Sequence, residues 1–86
     1  MSSRFEPDVT IDLHGRTPDA AMALVEQAVN SGRYVGKSVE IVHGYGRGVL
    51  RERVRKWGAN SSRVKRVLNG EDVFLPGGGG ATLFFL

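Results

Sequence analysis

Short apolar runs divide the chain into four predicted β-strands. Residues 8–13 and 37–42 are rich in β-branched side chains, residues 63–68 alternate apolar with basic positions, and residues 82–86 are almost entirely apolar. Successive side chains of a strand face opposite sides of its sheet. Because both sides of the last run are apolar, we expect that strand in the interior of the sheet, with apolar or aromatic side chains on the face that no helix covers.

Two stretches with apolar side chains at helical spacing predict α-helices. The first begins at residues 17–19, where a threonine cap, a proline and an acidic residue follow one another, and ends near residues 30–32. The second covers residues 47–57, with Gly58 expected as a left-handed stop. The expected core-facing residues are Ala21, Leu24, Val25, Ala28 and Val29 in the first helix and Leu50, Val54 and Trp57 in the second.

The resulting order, β-α-β-α-β-β, predicts a two-layer α/β (α+β) sandwich. A strand, a helix and a second strand imply a parallel pair joined by a right-handed crossover. Two helices can cover only one face of four strands, so we expect a four-stranded mixed sheet with both helices on one side. Residues 1–7 are predicted to be a flexible lead-in, residues 8–86 a single domain, and residues 69–80 a long glycine-bearing loop.

Composition narrows the class of protein only slightly. The 86 residues include no cysteine, which excludes disulfides and thiolate metal sites. No run has the length of a membrane span, and the first residues lack the apolar core of a signal peptide. We therefore expect a cytoplasmic domain, in a bacterial-type cytosol or nucleoid, with no membrane partner.

Positive charge is concentrated in one segment of the chain. Eight of the twelve basic residues lie between Arg47 and Arg66 together with one acidic residue, so this segment carries a charge of +7 while the remainder carries −4. Such an uneven distribution of charge produces an electrostatic field that attracts polyanions. A solvated helix face is the plainer alternative, but the size of the imbalance favours nucleic acid.

The two histidines of the chain each precede a glycine at the end of a predicted strand. His14 follows the first strand and His43 the second, so parallel pairing would bring both to one edge. Asp12 is two residues before His14 and would share its face. A carboxylate beside an imidazole can orient it for acid–base work, although Asp12 could instead bond backbone at the turn and His14 could be an ordinary surface residue.

The turn that follows His43 has the composition of an anion site. Its glycines, Gly44, Gly46 and Gly48, would leave backbone N–H groups open at a helix start, and Arg47 would add charge. Tyr45 could stack on a base or support the turn. Further phosphate contacts are expected from Arg51 and Arg55, on one stripe of the second helix, and from Gly78 and Gly79 in the last loop.

Three motifs in this order resemble the small MutS-related (Smr) domain family. They are residues 12–15 (Asp-Leu-His-Gly), residues 43–51, beginning His-Gly-Tyr-Gly-Arg-Gly, and the glycine block at residues 77–82. The resemblance covers 9–86 and implies a fold similar to the C-terminal domain of translation initiation factor three. Members nick DNA or cut RNA, some on messenger RNA at collided ribosomes, either alone or as the C-terminal domain of MutS-like ATPases.

These observations together predict an endonuclease acting on DNA or RNA, with Asp12, His14 and His43 as catalytic residues. No cofactor is evident, although DNA cleavage by water would need Mg²⁺ or Mn²⁺, for which Asp12 is the one motif acid; this tilts the prediction towards RNA. The alternative is a non-catalytic module that binds branched DNA or ribosome-bound RNA. A homodimer or a parent MutS-like ATPase is a further possible partner.

Overall fold

The computed structural model describes residues 6–46, 48–73, 75 and 78–86. The elements follow the predicted order, with two short 3-10 turns in the last loop. They are β1 (Val9–Asp12), α1 (Pro18–Asn30), β2 (Ser38–Val42), α2 (Val49–Asn60), β3 (Arg66–Asn69), the turns Gly70–Asp72 and Gly78–Gly80, and β4 (Ala81–Phe85). Within the described residues, neither helix is long and apolar enough to cross a membrane.

The sheet has the strand order β1-β2-β4-β3, which confirms the predicted mixed sheet and the interior position of β4. β1 pairs with β2 in parallel, with Asp12 opposite Val42. β4 is antiparallel to both neighbours, and Thr82 lies opposite Ile41 of β2. The predicted crossover between β1 and β2 is therefore present, and it brings the carboxyl ends of these two strands to one edge.

Both helices cover one face of the sheet, as predicted. Their buried side chains join those of β2 and β4 in one apolar cluster, in which Phe84 is fully buried. On the opposite face a smaller cluster forms around Leu83, which the side chains of Val73 and Leu75 in the last loop help to cover. The two faces of β4 thus enter different clusters, which is the physical reason for its apolar sequence.

Helix α1 begins as its sequence predicts. The Thr17 hydroxyl accepts a hydrogen bond from the backbone N–H of Ala20, and Pro18 occupies the first turn, where its missing N–H costs nothing. The helix ends at Asn30, in the predicted region.

The predicted limits of α2 are wrong at both ends. The helix starts at Val49 rather than at residue 47, and it continues through Gly58 to Asn60. Gly58 is buried inside the helix instead of ending it, and a Cβ built there would lie 2.5 Å from Cε1 of Phe84. The glycine is thus explained by the close approach of α2 to β4. The predicted core face of Leu50, Val54 and Trp57 is confirmed.

The remaining boundaries differ from prediction by a few residues. β3 starts at Arg66 rather than at residue 63, because residues 61–64 form a turn in which the Val64 N–H donates to the Ser61 carbonyl. β4 covers Ala81–Phe85 rather than residues 82–86. The predicted lead-in falls mostly on residues 1–5, which lie outside the described residues.

Candidate active site and anion-binding turn

The carboxyl ends of β1 and β2 form the edge that carries the three predicted catalytic residues. The backbone N–H of Leu13 donates to the Val42 carbonyl at 2.9 Å, which continues the parallel ladder one residue beyond β1. His14 follows Leu13 in the sequence, and His43 follows Val42. Parallel pairing therefore places both histidines at the same edge, where open α/β sheets bind their ligands.

Asp12 organises the turn that presents His14. Its Oδ1 accepts a hydrogen bond from the backbone N–H of His14 at 2.9 Å, so the carboxylate bonds backbone rather than the imidazole. Both residues are exposed. In the part of the chain that the structure describes, the His14 ring makes no hydrogen bond or ion pair, which leaves both of its nitrogens available to a ligand.

His43 belongs to the other face of this edge. Ile11 and Leu13 pack against the cluster beneath the helices, so alternation along β1 directs Asp12 to the helix-free face. The His43 ring, by contrast, contacts Thr82, the β4 neighbour of Ile41. Among the described residues, no hydrogen bond or ion pair joins Asp12 or His14 to His43. The structure brings the three residues to one edge but not into one side-chain cluster.

Both ring nitrogens of His43 have partners within the domain. Nε2 lies 2.8 Å from the Thr82 hydroxyl oxygen, and Nδ1 lies 3.0 Å from the carbonyl oxygen of Gly44. Burial lowers the pKa of His43, and the positive charges of Arg55 and Arg51 lower it further, although the bond to the Gly44 carbonyl opposes the shift. The neutral imidazole is therefore favoured at this position.

The Arg55 side chain turns inward from α2 to β4. Its Nε donates to the Thr82 hydroxyl oxygen at 2.8 Å, and its Nη2 donates to the Ala81 carbonyl at 3.1 Å and to a Glu71 carboxylate oxygen at 2.9 Å. A hydrogen bond from its own backbone lowers the pKa of the Glu71 carboxyl, and the hydrogen bond and charge of Arg55 lower this pKa further. The predicted phosphate ligand Arg55 thus has its donors directed at protein groups, whereas Arg51 lies beside the turn.

The turn between β2 and α2 is held by backbone bonds and shaped by glycine. The N–H groups of His43 and Gly44 both donate to the Gly80 carbonyl at 2.9 Å. Gly44 and Gly48 have φ values of 78° and 79°, which side-chain-bearing residues adopt only with strain. Gly48 is also the residue before α2 and offers no side-chain cap, so the first N–H groups of the helix lack that partner.

A hollow of about 340 Å³ lies against this turn and the start of α2. Its walls include His43, the glycines of the turn, and the side chains of Arg16 and Arg51. A Cβ built on Gly48 would lie 2.9 Å from Nη2 of Arg51, which places that guanidinium directly beside the helix start. Uncapped N–H groups and two arginines make the hollow suited to an anion.

Tyr45 lies over the glycines of the last loop. A Cβ built on Gly79 or Gly80 would lie 3.2–3.3 Å from carbon atoms of the Tyr45 ring, so a side chain there would require the ring to shift by a few tenths of an ångström. The ring nevertheless remains 65% exposed. Tyr45 therefore supports the turn and also offers an open surface, and the predicted phosphate ligands Gly78 and Gly79 lie beneath it.

The residues at this edge do not fit a multi-ligand metal site. No group of three or more histidine, cysteine or acidic residues able to hold a metal ion occurs among the described residues. Asp12, the predicted candidate, already accepts the His14 backbone N–H with one oxygen. The predicted phosphate ligand Arg47 lies outside the described residues.

Three residues of the site were missed by sequence reasoning. Arg16 lines the hollow, while Thr82 and Glu71 bind the Arg55 guanidinium. Thr82 carries a recognisable signal, since it is a lone hydroxyl in an otherwise apolar strand. The partners of Arg55 and the position of Arg16 depend on tertiary packing and have no such signal.

The fold and site define a class: a two-layer α+β domain with a histidine-bearing strand edge beside a glycine turn. The model of the family described as "Smr domain" matches residues 11–86. The chain therefore belongs to the Smr domain family.

Individual relatives agree with this assignment. The crystal structure of the Smr domain of Thermus thermophilus MutS2 superposes with a TM-score of 0.75 at 31% identity, covering 90% of this chain and 95% of that one. The chain is also 36% identical to "Endonuclease MutS2" of Finegoldia magna over 78 residues, which is 88% of this chain and 10% of the relative. The same identity holds to "Endonuclease MutS2" of Caldicellulosiruptor bescii over 64 residues, 73% of this chain and 8% of the relative. The chain thus spans about a tenth of the length of these relatives.

Proposed function

We propose that this domain is an endonuclease that binds nucleic acid at the start of α2 and cuts a phosphodiester bond beside His14. The observation that carries the proposal is the exposed ring of His14, which has no partner among the described residues, at the edge that also bears the cationic hollow. Arg16, which lines that hollow, is two residues after His14 in the sequence, so the same short segment supplies both a phosphate ligand and the imidazole in this proposal. The names of the MutS2 relatives support the same activity.

Phosphate binding would use the turn and its two arginines. The N-terminal N–H groups of α2 and the guanidinium groups of Arg16 and Arg51 offer donors to an anionic backbone. The exposed ring of Tyr45 offers a stacking surface for a base. Two other basic residues of the second helix have protein partners, Arg53 with Asp19 and Arg55 with Glu71, and are therefore less available.

On RNA the reaction would be an internal transfer. One group takes the proton of the 2′-hydroxyl, its oxygen attacks phosphorus, the bond to the 5′-oxygen breaks, and a second group protonates that leaving oxygen. The products are a 2′,3′-cyclic phosphate and a free 5′-hydroxyl. His14 is suited to one of these proton transfers, and the arginines and amides of the turn would stabilise the charge on the phosphorane. On DNA, water must attack, and a divalent metal ion is expected to be required.

A single set of assays tests the activity. Supercoiled plasmid, branched DNA, single-stranded RNA and ribosome-bound RNA are incubated with the domain, each with and without a chelator. We expect cleavage of RNA that survives the chelator and is lost in His14→Gln, while His14→Gln retains affinity for the same RNA. A domain that binds these substrates but cuts none would instead be the non-catalytic module, which is the alternative function.

The parent context is a separate part of the proposal. Because the relatives are MutS2 proteins about ten times longer, we propose that the domain acts in association with a MutS-like partner or as a homodimer. Size measurement of the domain alone and in the presence of a MutS-like ATPase distinguishes these arrangements.

A further inference from the structure

We propose that His43 is a positioning residue: Arg55 and Thr82 hold its neutral ring with the proton on Nδ1, so that it fixes the glycine turn and leaves proton transfer to His14. This inference rests on the proposed function and assigns different roles to the two histidines at the active edge. It follows from the donor and acceptor roles in three hydrogen bonds that join Arg55, Thr82, His43 and Gly44.

The first direction is set by Arg55. A guanidinium has hydrogens to donate and no acceptor, so the Thr82 hydroxyl oxygen accepts the 2.8 Å bond from Nε. The hydrogen of that hydroxyl then has to go to another group. The other partner within the described residues is Nε2 of His43, at 2.8 Å. Nε2 is therefore the acceptor of the Thr82 hydroxyl.

The second direction is set by the carbonyl of Gly44. A carbonyl oxygen can only accept, so Nδ1 of His43, at 3.0 Å, has to carry a hydrogen. A neutral imidazole has one hydrogen, and with it on Nδ1 the acceptor role of Nε2 is satisfied. All four groups are thus paired in one arrangement, Arg55 to Thr82, Thr82 to His43, and His43 to Gly44.

A second proton on His43 would disturb this arrangement. An N–H at Nε2 would face the Thr82 hydroxyl hydrogen, which would have to turn away from its partner. The Arg55 guanidinium, bound to the same hydroxyl oxygen, also opposes a further positive charge nearby. Neither nitrogen of the ring is then free to exchange a proton with a substrate.

These hydrogen bonds fix the position of the glycine turn. Thr82 is fully buried in β4, and the Arg55 guanidinium makes three hydrogen bonds, so these two residues form a well-fixed anchor. His43 connects this anchor to the Gly44 carbonyl, while the Gly80 carbonyl binds the N–H groups of both residues. These contacts set the start of the turn that lines the anion-binding hollow.

The tautomer can be observed directly. Long-range ¹H–¹⁵N spectra of the histidine rings, recorded from weakly acidic to weakly alkaline pH, distinguish a protonated Nδ1 from a protonated Nε2. We expect His43 to keep a proton on Nδ1 and a bare Nε2 down to a lower pH than a free histidine. A proton on Nε2, or ordinary titration of His43, would overturn the proposal whether or not the domain cuts nucleic acid.

Conservative variants then separate positioning from proton transfer. In His43→Gln the side-chain oxygen can accept the Thr82 hydroxyl hydrogen but cannot titrate, and we expect kcat to stay within about tenfold of the wild type. His14→Gln should lose about 10²–10⁴-fold in kcat, the usual contribution of a general acid or base. Equal losses in the two variants would refute the assignment.

Two substitutions of Thr82 test whether its hydroxyl group holds His43 and the glycine turn in place. Thr82→Val removes the hydroxyl at nearly the same volume and is expected to lower kcat/KM by about 10²-fold through misplacement of the turn, whereas Thr82→Ser restores most of it. Indistinguishable valine and serine variants would contradict the proposal. If the wild type cuts none of the substrates, the proposed function fails, and the same pair is compared by RNA affinity together with the spectra.

Discussion

Substituting Gly58 by alanine tests whether α2 and β4 approach as closely as the structure shows. A Cβ at this position would lie 2.5 Å from Cε1 and 2.6 Å from Cζ of Phe84, and 3.2 Å from a methyl group of Val67. Phe84 is fully buried and packs beside Trp57, with ring centroids 6.2 Å apart, so its ring has little space into which to move. The substitution therefore overpacks the core.

The expected magnitude combines two opposing effects. Overpacking a well-packed core costs about 1–3 kcal/mol, and the immobility of Phe84 favours the upper end. Alanine in place of glycine within a helix stabilises the folded state by about 1 kcal/mol. Gly58→Ala should then lower the free energy of unfolding by about 2 kcal/mol. For a domain of this size that corresponds to a fall in Tm of roughly 8–16 °C.

The assay is thermal and urea denaturation followed by circular dichroism and Trp57 fluorescence. Ala59→Gly, at the exposed neighbouring helix position, measures the helix-propensity contribution alone and should destabilise by about 1 kcal/mol. Phe84→Leu removes the obstructing ring edge, so Gly58→Ala should become neutral or stabilising in that background, a coupling of about 2–3 kcal/mol. A Gly58→Ala variant that melts at or above the wild-type temperature would refute the close approach.

Two further predictions concern charge. Because burial lowers the pKa of His43 below 6.5, the unfolded chain binds more protons in the interval between the folded pKa and 6.5, and stability should fall as the pH decreases through that interval. Urea midpoints should show this loss in the wild type and not in His43→Gln; an equal loss in both would assign it to another group. Arg51→Ala should reduce the salt dependence of RNA affinity by about one phosphate contact, whereas Arg53→Ala, whose guanidinium pairs with Asp19, should leave it unchanged.

The parts of this structure that the sequence predicts are those governed by local periodicity. Helical spacing of apolar residues identified the buried face of α2, and the double-sided apolar pattern of β4 placed it inside the sheet. The threonine cap of α1 is likewise a local signal. Gly58 was misassigned because a glycine that ends a helix and one that admits a neighbouring ring look alike in sequence, and the ring belongs to a residue 26 positions later.

In the candidate site, too, the sequence predicts local contacts better than contacts between distant residues. The bond between Asp12 and the His14 backbone joins residues two apart, and the sequence leaves it open as one of two alternatives. The environment of His43 depends on Thr82, 39 residues away, and on an arginine of α2 whose stripe position suggests an outward role. Sequence spacing can place a histidine at a strand end, but it cannot show which of its nitrogens already has a partner.

The ring of His43 is held by hydrogen bonds and the ring of His14 is exposed, and this difference suits the different roles proposed for the two histidines. A turn rich in glycine loses much conformational entropy when a ligand orders it, which weakens binding unless the turn is already held. The bond from His43 to Thr82 of β4, together with the bonds from the His43 and Gly44 N–H groups to the Gly80 carbonyl, supplies that restraint before any substrate arrives. A group that exchanges protons with a substrate needs the opposite, a ring open to the ligand, and His14 meets that condition at the exposed end of β1. If the proposed function holds, anchoring one histidine and leaving the other open allows a small domain to hold a phosphate firmly while a proton is transferred at the same strand edge.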